Sequence, residues 1–227
     1  MMLEQLNPEY RFSSILNIKP AWMRGEGYEA LLLDVDNTLL PRNSARIPAE
    51  HLVWLKGMRQ AGIAVALSSN NGGTRVQLIK KQLLENGLDI PILTWAGKPA
   101  PWAYTKALRL LQGKEEKDAS AGRDSLFEEK KEKVTLARPM CNREANEKAI
   151  TQERHIQVLA AGDQLFTDVL GAHLSGIPAV WLRPLSPNDF VGTKILRLLE
   201  MQVSHYLDKN ELLPKEDKEV RSEINEI

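Results

Sequence analysis

The sequence has one cysteine, no net charge and no long apolar run. The single cysteine, Cys141, excludes an internal disulfide framework and a zinc site built from several cysteines. The chain of 227 residues balances 30 Lys and Arg residues against 30 Asp and Glu residues. This balance gives no broad electrostatic basis for binding nucleic acid, so we predict no nucleic-acid partner.

Apolar runs are all shorter than a membrane-spanning helix requires, which is roughly 18 residues. The N-terminal segment carries Glu4 and Glu9, whereas a secretory signal peptide begins with positive charge and continues with an apolar block. These absences predict a cytoplasmic protein. They leave open a peripheral contact with a membrane surface, and the sequence does not indicate an oligomeric state.

Short apolar runs alternate with segments of helical periodicity. Five apolar runs predict strands, at residues 30–35, 63–67, 91–95, 156–161 and 178–182. Four other segments place apolar residues near helical spacing, at residues 48–60, 74–85, 102–111 and 166–175. Continuous apolar strands that alternate with helices are typical of a sheet covered on both faces. We therefore predict an α/β fold with a doubly wound, mostly parallel five-stranded sheet.

The chain divides into a central domain and segments of different character. We assign residues 25–205 to the domain, residues 1–24 to an N-terminal arm and residues 206–227 to a charged tail. Residues 113–154 are highly charged with little periodicity, which predicts a partly disordered or helical insertion before the fourth strand. The aromatic and basic residues of the arm are compatible with packing on the sheet edge or with resting on a membrane surface.

Two carboxylates, Asp34 and Asp36, stand at the end of the first predicted strand. Ligands of open α/β sheets bind beyond the carboxyl ends of the strands, so both side chains can reach such a site. Close carboxylates repel each other and call for a cation or a shared proton. A pair of Asp residues that only caps the next turn is the alternative.

The next two strand ends carry groups that can contact an anion. The second strand ends in Ser68, Ser69, Asn70 and Asn71, whose hydroxyl and amide groups precede a predicted helix. The third strand leads to Lys98, which can offer a point charge to phosphate. Taken singly, ordinary N-capping and a surface lysine explain these residues as well.

The fourth strand end carries Asp163, with Asp168 five residues further on. Mg²⁺ prefers oxygen ligands of this kind, although Asp163 alone is also compatible with an N-cap. Four successive strand ends thus hold groups suited to phosphoryl transfer. Their joint occurrence by accident is improbable.

These four motifs resemble those of the haloacid dehalogenase (HAD) superfamily of aspartate-nucleophile phosphatases. The sequence is most similar to the subclass IIIA, YqeG-type branch, which includes the mitochondrial phosphatidylglycerophosphate phosphatase. The resemblance covers roughly residues 17–200, apart from the insertion. The residues that carry it are DVDNTLLPRN at 34–43, SSNN at 68–71, GKPAPW at 97–102 and GDQLFTDVLGAHLSGI at 162–177.

The resemblance implies an aspartyl-phosphate mechanism. Asp34 would be the nucleophile, and Asp36 would protonate the leaving group and then activate water. Mg²⁺ would be held by the carboxylates of Asp34 and Asp163 and by the backbone carbonyl of Asp36. The predicted cofactor is therefore Mg²⁺.

The same resemblance implies phosphate contacts from Ser69, Asn70 and Lys98, with Ser68 as a rival to Ser69. Asp168 is expected to pair with Lys98 outside the direct metal ligands. Among other nearby groups, Asn71 is a weaker candidate. Arg75 is compatible with an anion contact or with an ordinary solvated side chain.

The spacing between motifs leaves no room for a cap domain after the first or the second strand. An open site suits a phosphate presented by something bulky, and the resemblance favours a lipid headgroup. We therefore expect a phosphatase that converts phosphatidylglycerophosphate to phosphatidylglycerol. The alternatives are a phosphatase of a soluble ester or a phosphoprotein, a receiver-type phosphoacceptor, and an inactive scaffold.

Overall fold

The computed structural model describes residues 4–42, 44–112, 156–186 and 191–216, with side chains from residue 199 onward in the last range. The predicted insertion at 113–154 lies outside the described residues, and so does the second half of the predicted tail, residues 217–227. The domain boundaries predicted from the sequence therefore stay predictions.

The fold is built on a six-stranded sheet in which every strand pair is parallel. The strands are β1 (Tyr10–Phe12), β2 (Ala30–Asp34), β3 (Ala64–Ser68), β4 (Ile92–Leu93), β5 (Val158–Gly162) and β6 (Ala179–Leu182). Their order across the sheet is β1-β6-β5-β2-β3-β4. The predicted α/β class and parallel sheet are confirmed.

The prediction of five strands is wrong, because β1 adds a sixth at the sheet edge. Its sequence, Tyr-Arg-Phe, is too short and too mixed to form an apolar run. The strand pairs with β6, and the backbone of Glu9 donates to the carbonyl of Ala179 just before it. The N-terminal segment therefore packs on the sheet edge, which was one of the two arrangements considered for it.

Helices connect the strands in the alternation that the periodicity predicted. They are α1 (Pro20–Gly25), α2 (Ala49–Gln60), α3 (Thr74–Glu85), α4 (Pro101–Leu111), α5 (Leu170–Leu174) and α6 (Val191–Lys209). A π-helical turn, Leu165–Val169, precedes α5 where one continuous helix was predicted. The helix α6, which extends into the predicted tail, was not predicted, although its sequence repeats apolar residues at helical spacing.

Two apolar cores cover the two faces of the sheet. Along β2, Leu31 and Leu33 face one core whereas Ala30 and Leu32 face the other, as expected from the alternation of side chains along a strand. Burying one leucine side chain contributes roughly 1.5–3 kcal/mol. Central strands buried on both faces make the carboxyl edge of the sheet a rigid platform for polar groups.

The connections at that edge are short. Within the described residues, α2 is the only helix between β2 and β3, and α3 is the only one between β3 and β4. This part of the chain therefore contains no cap domain, as predicted. In the same described part of the chain, no helix combines the length and apolar character needed to cross a membrane.

Candidate active site

Lys98 is the centre of a buried ionic cluster at the carboxyl edge of the sheet. Its Nζ donates to Oδ1 of Asp34 at 2.5 Å and to Oδ1 of Asp168 at 2.7 Å. Asp34 ends β2, Lys98 follows β4 and Asp168 lies in the π-helical turn after β5. Three separate strand ends thus converge on one point, and the predicted pairing of Lys98 with Asp168 is present.

Burial and the charge of the ionic partner shift the pKa values of Asp34 and Lys98 in opposite directions. Burial raises the pKa of Asp34 well above its usual value, and the carboxylates of Asp168 and Asp163 add to that rise, although Lys98 opposes it. For Lys98, burial lowers the pKa, but the charges of Asp168 and Asp34 outweigh it and raise the pKa overall. The ammonium group therefore stays charged, and the carboxylates gain from any further cation.

The cluster offers a site that a divalent cation fits. One carboxylate oxygen from each of Asp34, Asp163 and Asp168 lies within 4.8 Å of the others, and all three residues are buried. Oδ2 of Asp34 is buried and accepts no hydrogen bond from a described residue. Buried charges are normally paired or bound to metal, so the donor set suits a cation that prefers oxygen.

Asp36 lies in a second polar cluster beside the first. Its Oδ2 accepts from the Ser69 hydroxyl and from the Asn71 amide, both at 2.9 Å. Its Oδ1 is paired with Nη1 of Arg75 at 2.6 Å. The residue after it, Asn37, has a positive φ of 66° and turns the chain away from the site. Asp36 is thus held in one orientation by three donors.

The turn after Asp36 is anchored to the loop that follows β6. The Asn37 amide donates to the carbonyl of Ser186 and accepts from its backbone N–H, both at 2.9 Å. The backbone carbonyl of Asn37 also accepts from Leu185. The asparagine of the motif therefore serves the geometry of the turn.

Asn70 holds the backbone that carries Lys98. Its amide accepts from the N–H of Lys98 at 2.8 Å and donates to the carbonyl of Lys98 at 3.1 Å. This exchange links the loop after β3 to the loop after β4. A phosphate contact by Asn70 stays a prediction, and its observed contact is with Lys98.

Close packing also determines where Asp168 lies. A Cβ added to Gly162 would collide with the carboxyl group of Asp168, so only glycine lets the turn approach β5 this closely. The N–H of Gln164 donates to Oδ2 of Asp168 at 3.1 Å. Tyr104 in α4 donates to backbone carbonyls of the same turn, at Thr167 and Asp168. These contacts direct Asp168 towards Lys98.

The structure brings the predicted site residues together in two adjacent clusters. Asp34, Asp163, Asp168 and Lys98 form one, and Ser69 lies with Asp36 in the other. Ser68 lines a small cavity with Asp34, Lys98 and Asp168, so it remains the rival of Ser69 for a phosphate contact.

Sequence reasoning undervalued Arg75, Asn71 and Tyr104. Arg75 and Asn71 bind Asp36 across 39 and 35 residues of chain, and no spacing rule connects positions so far apart. The position of Arg75 at a helix start after a motif was the only available signal. The sequence analysis placed Tyr104 only within a predicted helix at residues 102–111 and gave no sign of its hydrogen bonds.

Comparison with known proteins agrees with this geometry. Residues 3–185 match the protein family described as mitochondrial PGP phosphatase. Probable phosphatase YqeG of Bacillus subtilis (strain 168) is 24% identical over 196 residues, which cover 86% of this chain and 88% of that protein. The family match includes every residue of both clusters.

One solved structure is also similar to the chain. It is an NMR structure of the core domain of a protein assigned as a phosphoglycolate phosphatase, from Streptococcus pneumoniae TIGR4. The match covers 76% of this chain and 96% of that one, at 20% identity and a TM-score of 0.37.

Proposed function

The chain belongs to the family described as mitochondrial PGP phosphatase and is a phosphatase of the HAD type. From this family membership, we propose that the protein hydrolyses phosphatidylglycerophosphate to phosphatidylglycerol. The observation that carries the proposed chemistry is the buried cluster of Asp34, Lys98, Asp163 and Asp168 next to Asp36. A phosphorylated substrate follows from the family, and the lipid is our proposal.

The first half of the reaction transfers the phosphoryl group to the protein. A carboxylate oxygen of Asp34 forms a bond to phosphorus while the bond from phosphorus to the ester oxygen breaks. Asp36, in its protonated form, gives its proton to the leaving alkoxide. Lys98 places its charge beside Asp34, where the oxygens of the transferred group gather negative charge.

The second half releases phosphate and restores the protein. Asp36, now a carboxylate, takes a proton from a water molecule whose oxygen attacks phosphorus as the bond to Asp34 breaks. Ser69, Asn71 and Arg75 hold Asp36 in position for both proton transfers. The products are the alcohol, inorganic phosphate and a free Asp34.

We propose Mg²⁺ as the cofactor, held by the carboxylates of Asp34 and Asp163 and by the backbone carbonyl of Asp36. When bound, it supplies positive charge that offsets the repulsion between carboxylate and phosphate. The buried Oδ2 of Asp34, which accepts no hydrogen bond from a described residue, supports this assignment. Both carboxylate oxygens of Asp168 are engaged, Oδ1 by Lys98 and Oδ2 by the N–H of Gln164, which supports its place outside the direct ligands.

Phosphate release from two substrates tests the proposal. Phosphatidylglycerophosphate in detergent micelles and glycerol 3-phosphate in solution present the same phosphoglycerol group with and without the lipid. We expect the lipid to be the better substrate, with activity lost to a chelator and restored by Mg²⁺. A preference for the soluble ester would reject the lipid assignment and keep the phosphatase.

Asp34→Asn is the decisive variant in this assay. Removing the nucleophile should lower kcat by at least roughly a thousandfold, since an amide at position 34 cannot form the acyl-phosphate intermediate as the carboxylate does. Asp89→Asn is the matched control, because Asp89 is exposed and lies in the loop that leads into β4. This loop is at the amino ends of the strands, whereas the site is at their carboxyl ends. Equal activity of Asp34→Asn and the unmodified protein would overturn the mechanism.

A further inference from the structure

The loops that follow β3 and β4 stay in contact beyond the ends of the two strands. The backbone N–H of Ser69 donates to the carbonyl of Leu93 at 2.9 Å, and the N–H of Ala96 donates to the carbonyl of Ser69 at 3.0 Å. The N–H of Trp95 donates to the carbonyl of Asn71 at 3.2 Å. These bonds continue the pairing of β3 with β4 into the loops that carry the site.

One side chain extends this contact as far as Lys98. The amide of Asn70 accepts from the N–H of Lys98 at 2.8 Å and donates to the carbonyl of the same residue at 3.1 Å. Two residues that face each other in an antiparallel sheet exchange a pair of bonds in the same way. The described residues provide no other backbone partner for these two groups of Lys98.

Three consecutive residues of the loop after β3 thus reach both clusters of the site. The side chains of Ser69 and Asn71 bind the carboxylate of Asp36. The side chain between them, Asn70, binds the backbone of Lys98. The loop therefore joins the carboxylate of the proposed acid and base to the backbone that carries the lysine.

The backbone of Lys98 decides where its charge lies. The ammonium group stands on a flexible stem of four carbons, so its position depends on the direction in which the backbone sends that stem. The N–H and the carbonyl of Lys98 belong to the two peptide groups on either side of its Cα, and the amide of Asn70 binds both. With this start fixed, Nζ reaches Oδ1 of Asp34 at 2.5 Å and Oδ1 of Asp168 at 2.7 Å.

We propose that Asn70 is a positioning residue for Lys98: by holding both backbone groups of the lysine, its amide sets the place of the ammonium group beside Asp34. The inference rests on the proposed function, in which that charge faces the transferred phosphoryl group. If the amide turned to the phosphate instead, the N–H and carbonyl of Lys98 would lose these partners, which is costly in a buried residue. Positioning of Lys98 and direct contact with phosphate therefore compete for the same amide.

Kinetics of Asn70→Ala with a soluble ester test the proposal. Asn70 is exposed, so shortening its side chain leaves no cavity in the core. For para-nitrophenyl phosphate, kcat should fall roughly 10- to 100-fold with a smaller change in KM, because a small displacement of a group that acts in the transition state has an effect of this size. An unchanged kcat would overturn the proposal.

Asn86→Ala is the matched control for this variant. The amide of Asn86 also bonds to the backbone, since it donates to the carbonyl of Gln82 at 2.9 Å. Asn86 follows the last residue of α3, whereas the first turn of that helix carries Arg75 at the site. The control loses a bond of the same kind away from the site, and its kcat should stay unchanged.

A double-mutant cycle with Lys98 separates positioning from a direct phosphate contact. If Asn70 acts through Lys98, Asn70→Ala should lower kcat by less than about twofold once Lys98→Ala has removed the ammonium group, because coupled residues are not additive. The same fold loss with and without the ammonium group would show that Asn70 acts on the phosphate by itself, and this would overturn the proposal.

Amide hydrogen exchange followed by NMR tests the contact without a substrate. Lys98→Ala leaves two buried carboxylates without their partner, so a measurement that does not need this variant is also required. In Asn70→Ala, the N–H of Lys98 should exchange at least about tenfold faster than in the unmodified protein, while the amides of β2 keep their rates. Equal exchange rates at Lys98 in the two proteins would show that the amide does not hold this backbone, and the proposal would be wrong.

Failure of this inference and failure of the proposed function are distinguishable, because none of these measurements uses the lipid. A coupled loss of kcat in Asn70→Ala, in a protein that does not hydrolyse phosphatidylglycerophosphate, would keep the role of Asn70 and reject the lipid substrate. Hydrolysis of that lipid with equal kcat in Asn70→Ala and the unmodified protein would keep the substrate and reject the positioning role.

Discussion

Arg75 and Asp36 form the ion pair that most directly links structure to the proposed chemistry. Asp36 can act as acid and then as base only if its carboxyl group faces the reacting oxygens in both steps. The 2.6 Å contact from Arg75, together with Ser69 and Asn71, holds it in place. Arg75 itself is fixed by a hydrogen bond from its Nε to the carbonyl of Ser44 at 2.8 Å.

Arg75→Met should therefore lower kcat by roughly 10- to 100-fold with a smaller change in KM, since part of the general acid–base contribution is lost. Steady-state kinetics with a soluble phosphate ester measures both constants. Arg59→Met is the control, because Arg59 is an exposed arginine that donates to the carbonyl of Asp89 in a distant loop. A rise in KM alone would mean that Arg75 contacts the substrate instead of positioning Asp36.

At the scale of secondary structure, the π-helical turn after β5 depends on one glycine. Gly162 ends β5, and the carboxyl group of Asp168 occupies the space that a Cβ would need. Gly162→Ala should destabilise the fold by about 1–3 kcal/mol, as overpacking of buried sites does. It should also weaken metal-dependent activity, because Asp168 must move away from Lys98.

Urea unfolding followed by circular dichroism measures the loss of stability. Gly57→Ala is the matched control, since a Cβ on Gly57 in the middle of α2 meets nothing within 4 Å. Alanine there should stabilise the helix by about 0.5–1 kcal/mol. If Gly162→Ala were as stable as the unmodified protein, the close approach of Asp168 to β5 would be wrong.

The attachment of β1 depends on a titratable pair. His173 in α5 has Nδ1 at 2.6 Å from the carbonyl of Gln5 and Nε2 at 2.9 Å from Glu9. Both partners are acceptors, so both contacts are hydrogen bonds only when both ring nitrogens carry a proton and the ring is charged. Burial lowers the pKa of His173, but the hydrogen bond and charge of Glu9 outweigh it and raise the pKa above 6.5.

The pH dependence follows from the two shifts. Because the pKa of His173 is raised, the ring contributes its full stabilisation below pH 6.5. This stabilisation is lost as the pH rises through the pKa of His173 in the folded protein. Burial raises the pKa of Glu9, but His173 and the N–H of Ala179 outweigh it and lower the pKa below 4.5 overall. The stability that Glu9 contributes is therefore lost as the pH falls through the pKa of Glu9 in the folded protein. The pair should therefore stabilise the fold most between pH 4.5 and 6.5.

His173→Asn should accordingly cost about 0.2–1 kcal/mol near pH 6 and less at pH 9, a range that allows for solvent screening of this partly exposed pair. Thermal unfolding at several pH values measures the difference. His205→Asn, at an exposed histidine in α6, is the control and should show no such dependence. A cost that stays constant with pH would show that the ring acts through its contacts alone.

At the scale of the whole molecule, the charged segment at 113–154 joins the chain far from the site. It follows α4, which begins near Lys98 at the carboxyl ends of the strands and ends at Leu111, near the amino ends of the strands. Removing residues 114–133 should leave kcat for a small soluble ester nearly unchanged. The free energy of unfolding should also change little, because the entropic cost of closing a loop depends only weakly on its length. A large loss of kcat would mean that the segment reaches over the site.

Much of the architecture follows from local patterns. The runs that contain Leu31–Leu33 and Leu159–Ala161 predict buried strands because no solvent-facing position interrupts them. The same pattern does not predict the short strand β1, because a three-residue edge strand has no apolar run and is identified only by its pairing with β6. The helix α6 is a different case, because its sequence repeats apolar residues at helical spacing and this pattern by itself predicts a helix.

The sequence by itself determined that five apolar strands alternate with helices in a parallel sheet, and it determined the chemistry at the strand ends. The polar residues that stand at the ends of these apolar runs are Asp34, Asp36, Ser69, Lys98, Asp163 and Asp168, and a parallel topology gathers such ends on one side of the sheet. Only the tertiary structure decided that Lys98 also contacts Asp34, that Arg75 and Ser69 hold Asp36, and that Trp95 and Trp102 remain exposed. The physical reason is distance along the chain. Periodicity and propensity act over a few residues, whereas these contacts join positions 33 to 64 residues apart, whose geometry depends on how the sheet and helices pack.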